Sequence, residues 1–242
     1  MRPGAERLDL FHRGEELVLA TLGSLSDDDL LDPSGLDGWS RRHLVSHLAR
    51  NADALGNLLA WARTGVEAPM YRSAADRAAG IDAGAERPPA EVRADAVAAS
   101  ERLVAAVADL PDAAWDAEVR TARDRPIDAG EVPWMRIRET WVHAVDLQAG
   151  IDFDAVPGAV VDTLLDEVTA GLAGRDDCPP LLLVESDGHT WRIGPREAID
   201  VDVTRVIGPP HELLAWLIGR TDGSALSAST PDGHPPIPPP WL

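Results

Sequence analysis

The decapeptide "RETWVHAVDL", residues 138–147, carries the most chemistry per residue in the chain. If it is helical, ~100° of rotation per residue gathers Glu139, His143 and Asp146 into an arc about 60° wide. Glu139 and His143 are spaced i and i+4, which lets a carboxylate and an imidazole on one helix reach a single zinc ion. His43 and His47 repeat that spacing in "RRHLVSHLARN". By spacing alone the arc is a solvated face, a buried polar cluster or part of a metal site. Three protein ligands would leave a fourth position open, as catalytic zinc requires. Asp146, one turn beyond His143, could orient it from behind as a hydrogen-bonded carboxylate.

Other reactive groups are few. No HExxH, GxGxxG, Walker-type loop or GxSxG is present, so the sequence gives no support for nucleotide binding or serine hydrolysis. The single cysteine, Cys178, follows two aspartates and precedes Pro-Pro, a setting that disfavours a thiolate. It also excludes an intramolecular disulfide and a cysteine-cluster zinc site. His12, His189, His211 and His234 read as surface or capping residues. Arg220 ends the apolar run "LLAWLIGR", where it either complements the helix dipole or projects toward a carboxylate.

The elements that must position these groups are mostly helices. Residues 6–22 read as a first helix, with Leu8, Leu10, Phe11, Leu17, Val18 and Leu22 apolar. Ser40 is a good N-cap for a second, which carries His43 and His47 and stops at Gly65. A linker, "GVEAPMYRSAADRAAGIDAGAERPP", leads to an Ala-rich helix that closes at Pro111. A polar stretch with room for a short hairpin follows, and a fourth helix runs from Pro133 or Trp134 to Gly150. These four predict a helical bundle, whose interior suits a metal or ligand site.

After residue 152 the texture changes. A helix "AVVDTLLDEVTAGLAG" precedes strand-like runs "PLLLVES" and "HTWRIG", with a turn at Asp187-Gly188 between them. Alternation in "AIDVDVTRVIG" predicts a third strand, and "PPHELLAWLIGR" a helix that begins on prolines. In the Pro-rich tail, Ile237 and Trp241 offer docking groups. The expectation is an α+β protein, with a helical bundle over 1–152 and a small α/β domain over 153–242.

With 242 residues, 45% hydrophobic and 26% charged, the composition is that of a globular protein. The net charge of −19 argues against nucleic acid or an anionic membrane as partner. The first residues lack the apolar region of a signal peptide, and no run is long enough to span a membrane. A cytoplasmic protein, and a monomer, is expected.

Taken in order, "GWSRRHLVSHLARNADALGNLLAWARTG", "PMY", "WMRIRETWVHAVDL", "LLAWLIGR" and "PPWL" resemble the mycothiol-dependent maleylpyruvate isomerase family over nearly the whole chain. The resemblance implies a DinB-like four-helix bundle with a catalytic zinc, followed by a small sterol-carrier-like α/β domain. It makes His47, Glu139 and His143 the zinc ligands, leaves His43 out, and makes Arg220 an essential arginine, with the active site between the domains. The implied activity is cis-trans isomerisation of maleylpyruvate to fumarylpyruvate in gentisate-type aromatic catabolism, with mycothiol as the external thiol. That suits a chain without a plausible nucleophilic cysteine: the thiol adds, a single bond rotates, and the thiol leaves. To these we add Asp146 and Asn51 as residues supporting the ligands, and Arg77 as a group that binds thiol or substrate. Two alternatives stand beside this reading: a zinc-dependent mycothiol S-transferase that detoxifies electrophiles, and a non-enzymatic zinc-stabilised binding or regulatory protein.

Overall fold

The computed structural model describes residues 1–186, 188–195 and 203–240. The chain divides into two compact units, Met1–Ile151 and Asp152–Leu242. The first is built on four long helices: α1 (Ala5–Ser24), α2 (Arg41–Thr64), α4 (Pro89–Ala108) and α5 (Val132–Asp146). Helix α1 packs on α5, α5 on α2, α2 on α4 and α4 on α1, which closes a four-helix ring. Apolar stripes such as Phe11, Val18 and Leu22 of α1 and Leu44, Leu48, Leu55 and Leu58 of α2 fill its centre.

Sequence reading and structure differ in two places here. The stretch read as a linker contains a further helix, α3 (Ala74–Ala85), which packs on α2. Ser73 caps it by accepting from the Asp76 backbone N–H at 3.0 Å, and alanines give it helical propensity. Only Ile81 and Ala85 of α3 are buried, so it lacks the long apolar stripe by which a bundle helix is recognised. Helix α5 ends at Asp146 instead of reaching Gly150, because Gln148 (φ 50°) and Gly150 (φ 85°) take left-handed turns. Arg41 seals that end, donating from Nε to the Leu147 carbonyl (2.7 Å) and from Nη2 to that of Gln148 (3.0 Å). The hairpin expected between α4 and α5 is present as β1 (Glu118–Arg120) and β2 (Pro126–Asp128), paired antiparallel.

A buried ion pair joins all four bundle helices. Arg136 of α5 donates from Nε to Glu15 Oε1 of α1 (2.6 Å) and from Nη2 to Oε2 (3.2 Å). Its Nη1 reaches the Leu48 carbonyl and Asn51 Oδ1 of α2, each at 2.9 Å, and Ser100 Oγ of α4 donates to Glu15 Oε2 (2.6 Å). Both charged side chains are at most 4% exposed, so the hydrogen bonds replace lost hydration. Close backbone approach assists: a Cβ on Gly14 would lie 2.3 Å from Thr140 Oγ1 of α5.

The second unit sets α6 (Gly158–Leu172) and α7 (Pro210–Leu217) against each other and a four-stranded sheet, ordered β4-β3-β5-β6. Strand β3 (Leu181–Glu185) pairs antiparallel with β4 (Thr190–Ile193) and parallel with β5 (Thr204–Gly208), and β5 pairs antiparallel with β6 (Ser227–Ala228). Leu181, Leu183, Ile193 and Val206 are buried. Of the predicted third strand, 204–208 is observed, while its start, Asp187 of the predicted turn and Trp241 lie outside the described residues. In the tail Ile237 is 90% exposed and does not dock. Buried Pro235 and the Pro240 carbonyl, which accepts from Arg175 Nη1 at 2.7 Å, hold the tail instead. Among the described residues no helix is long and apolar enough to cross a membrane.

Removing one partner of the buried pair leaves the other charge unsatisfied. Glu15→Ala is therefore expected to cost about 3–5 kcal/mol of stability, read as a lower urea midpoint with a similar m-value.

Candidate metal centre

Helix α2 is preceded by its N-cap, Ser40, whose backbone N–H donates to His43 Nδ1 (3.3 Å) and whose hydroxyl lies 2.7 Å from the same nitrogen. His43 is thereby spent on capping its own helix, in the place a Glu or Gln usually takes. One turn on, His47 points into the bundle and is 4% exposed. The i, i+4 spacing within α2 does not bring these two imidazoles to one ligand point.

The pairing that matters is between helices. His47 Nε2 lies 3.0 Å from Glu139 Oε2, and His143 Nε2 lies 3.3 Å from the same oxygen. The three ligand atoms fall within 4.8 Å of one another. Tetrahedral ligands at ~2.0–2.1 Å from a zinc ion stand about 3.3 Å apart, so the donor set and its spacing fit such an ion. The rings of His47 and His143 meet edge to face, 5.1 Å between centroids at 86°. Trp39 leans on His47 at 5.5 Å, walling one side.

Asp146 contacts His143 within the same helix. Its Oδ2 lies 2.8 Å from His143 Nδ1, and its side chain is 1% exposed. A carboxylate only accepts, so Nδ1 holds the proton and Nε2 faces Glu139, the carboxylate–histidine arrangement that orients a metal ligand. The Gly35 N–H donates to the Asp146 carbonyl at 2.7 Å, fixing the loop before α2 over the end of α5. Asn51 has a different partner from the one expected: its amide oxygen accepts from Arg136. Arg77, from α3, directs Nη2 at His47 Nδ1 (3.3 Å) while its guanidinium carbon lies 5.9 Å from the Tyr71 ring centroid.

Burial and pairing set the charges. Burial pulls the His47 imidazole below its usual pKa, more than the Glu139 hydrogen bond restores, which keeps it neutral as a ligand must be. For Glu139, burial favours the acid, but hydrogen bonds from His143 and His47 outweigh it and hold the carboxyl well below its usual range. His143 is opposed by burial and raised overall by hydrogen bonds to Asp146 and then Glu139. Tyr71 is raised, first by burial and also by the Glu139 charge, which places its phenol within electrostatic reach of the triad.

Arg220 belongs to the second unit. Helix α7 stops at Leu217, short of the predicted end, because Gly219 turns left-handed (φ 73°). The Arg220 N–H then closes on the Ala215 carbonyl (2.8 Å), and its Nη1 donates to the Ile218 carbonyl (2.7 Å).

Sequence reasoning overlooked Glu15, Arg136 and Tyr71 as contributors. The first two had a signal: Arg136 begins the stripe that continues through Glu139, Thr140 and His143, and Glu15 interrupts the apolar stripe between Phe11 and Val18. Tyr71 lies in a loop, where periodicity gives no direction.

The family model for the "Mycothiol maleylpyruvate isomerase N-terminal domain" matches residues 11–148, a span that contains the whole triad. The chain belongs to this family. Beyond that domain, the chain is similar to a solved structure described as the mycothiol-dependent maleylpyruvate isomerase, with 34% identity and a TM-score of 0.89. The likeness covers 98% of this chain and 96% of that one. A histidine-to-alanine mutant of the same description matches at 33% identity, with the same TM-score and coverage. A search of curated proteins gives no match.

His47→Ala and His143→Ala are each expected to abolish stoichiometric zinc retention after dialysis, measured by elemental analysis, whereas His43→Ala retains it. Asp146→Ala is expected to weaken zinc about 10–100-fold without unfolding the protein.

Proposed function

We propose that this protein is a mycothiol-dependent maleylpyruvate isomerase that turns the cis alkene into fumarylpyruvate. The full-length likeness, at 34% identity over 98% of the chain, to a structure so described carries the reading. The converging His47, Glu139 and His143 give it a chemical centre.

The reaction needs free rotation about a carbon–carbon double bond conjugated to a ketone. Addition of the thiolate sulfur to the alkene carbon β to the ketone forms a C–S bond and moves the π electrons into an enolate. The former double bond is then single and rotates; collapse of the enolate expels the thiolate and leaves the trans alkene. No atom is gained or lost.

His47, Glu139 and His143 are the residues that would hold zinc, with a fourth position left open. A zinc ion bound there supplies a Lewis acid able to lower a thiol pKa or polarise a ketone oxygen. Asp146 holds the His143 proton on Nδ1 and so keeps Nε2 aimed at that point. The Trp39 ring packs against that of His47, 5.5 Å between centroids. Arg220 is the proposed catalytic cation, binding a substrate carboxylate or the developing enolate against an overall charge of −19.

The thiol must come from outside. Cys178 is 2% exposed, and burial raises its pKa, so the thiolate is scarce at neutral pH. The position lies in the second unit, after α6, while the triad lies in the first.

Zinc-loaded protein is expected to convert maleylpyruvate to fumarylpyruvate only when mycothiol is added, followed by product absorbance. Cys178→Ser is expected to keep this rate within about twofold. Arg220→Ala is expected to retain zinc and lose at least about 100-fold in turnover, as for removal of a transition-state donor. Zinc binding with stable mycothiol conjugates and no trans product would move the assignment to an S-transferase.

A further inference from the structure

The two imidazoles of the triad meet opposite kinds of partner at Nδ1. Asp146 only accepts, so it fixes a His143 proton on Nδ1, while Nε2 faces Glu139 Oε2 at 3.3 Å and is the atom that would turn to a cation. Arg77 only donates. Its Nη2 at 3.3 Å therefore requires His47 Nδ1 to accept, which puts the single proton of a neutral ring on Nε2. Nε2 then donates to Glu139 Oε2 at 3.0 Å, and the triad is closed on itself by a hydrogen bond.

A cation at the triad needs the Nε2 lone pair. The ring proton must then sit on Nδ1, with solvent carrying it from one nitrogen to the other and no net gain or loss. Two N–H donors would face each other across the Arg77–His47 contact, which is repulsive, so the contact must open. Arg77 has somewhere to go: it is half-buried on the first turn of α3, with the Tyr71 ring beneath it.

We propose that Arg77 is a positioning residue that latches the metal-free triad through His47 Nδ1, and that metal loading releases it, beside Tyr71, as a seat for a ligand carboxylate. This rests on His47, Glu139 and His143 being the metal ligands. Arg77 thus couples two binding events: the ion frees the guanidinium, and a bound carboxylate holds it away from His47, each favouring the other. A keto-acid substrate would meet a cation next to the triad only after the ion is in place.

The direct test is the tautomer of His47 in ¹⁵N-labelled protein, assigned by the signal missing in His47→Gln. The expected result is Nε2–H in metal-free protein and Nδ1–H after zinc is added. Nδ1–H in both states overturns the latch. Arg77→Met is expected to bind zinc about tenfold tighter in competition with a chelator, roughly one charge-assisted hydrogen bond, and unchanged or weaker binding also overturns it. Loss of a positive charge alone would tighten zinc without any tautomer change, so tightening with Nδ1–H in the metal-free wild type counts against the latch.

Maleate, a cis-dicarboxylate, probes the seat. Zinc-loaded Arg77→Met is expected to bind it about tenfold more weakly than zinc-loaded wild type, and equal affinity removes the seat. All these measurements use zinc or maleate without thiol or turnover. Failure to bind zinc at all would sink the ligand assignment, whereas zinc binding without a tautomer change sinks the latch alone.

Discussion

The salt bridge between Glu15 and Arg136 is the interaction on which the geometry of the candidate centre depends. It is buried, bidentate and shared with Leu48, Asn51 and Ser100, so it touches every long helix of the bundle. A hydrophobic contact tolerates a shift of an ångström or so, whereas these hydrogen bonds do not. Arg136 precedes Glu139 by three residues, and the Leu48 carbonyl it grips belongs to the residue after His47. The register of α5 against α2 is therefore fixed within one turn of the triad. Nothing in the pair performs chemistry, yet it sets the distance at which His47 meets Glu139.

Around this frame, further polar contacts hold the ends of the helices that carry the triad. Asp146 sits behind His143, with its backbone carbonyl tied to the loop at Gly35. Arg41 caps the end of the same helix and keeps it from fraying where His143 and Asp146 lie. His43, which repeats the metal-ligand spacing, caps α2 at its start. Arg77 and Tyr71 come from a short helix and a loop, and Arg77 meets the triad at His47 Nδ1.

The electrostatics follow the same division. Three buried titratable groups share one small volume, and pairing balances burial differently for each: neutral His47, ionised Glu139, and His143 favoured toward charge. A dication bound there would replace the proton-mediated contacts among them, since the ligand spacing of zinc and the hydrogen-bonded spacing seen here are nearly the same. The chain as a whole is strongly acidic, so an anionic ligand would depend on local cations, the role proposed for Arg77 and Arg220.

By itself, the sequence determined the helices with long apolar stripes, the hairpin before α5, the mixed character of the second unit and the Glu139–His143–Asp146 arc. These are properties of one segment at a time, and periodicity and capping encode them locally. It also held the motifs by which the family is identified. Helix α3 escaped because its buried face is only two residues long, and the ends of α5 and α7 were misplaced because left-handed turns at Gln148 and Gly219 cut them short. Spacing left His43 and His47 equivalent and the family resemblance singled out His47, but only the tertiary structure decided that its ring meets the arc across the bundle, that Asn51 serves Arg136, and that Arg77 faces His47. Each of these is a contact between helices whose relative rotation is set by packing across the bundle, and spacing along one chain segment carries no information about that rotation.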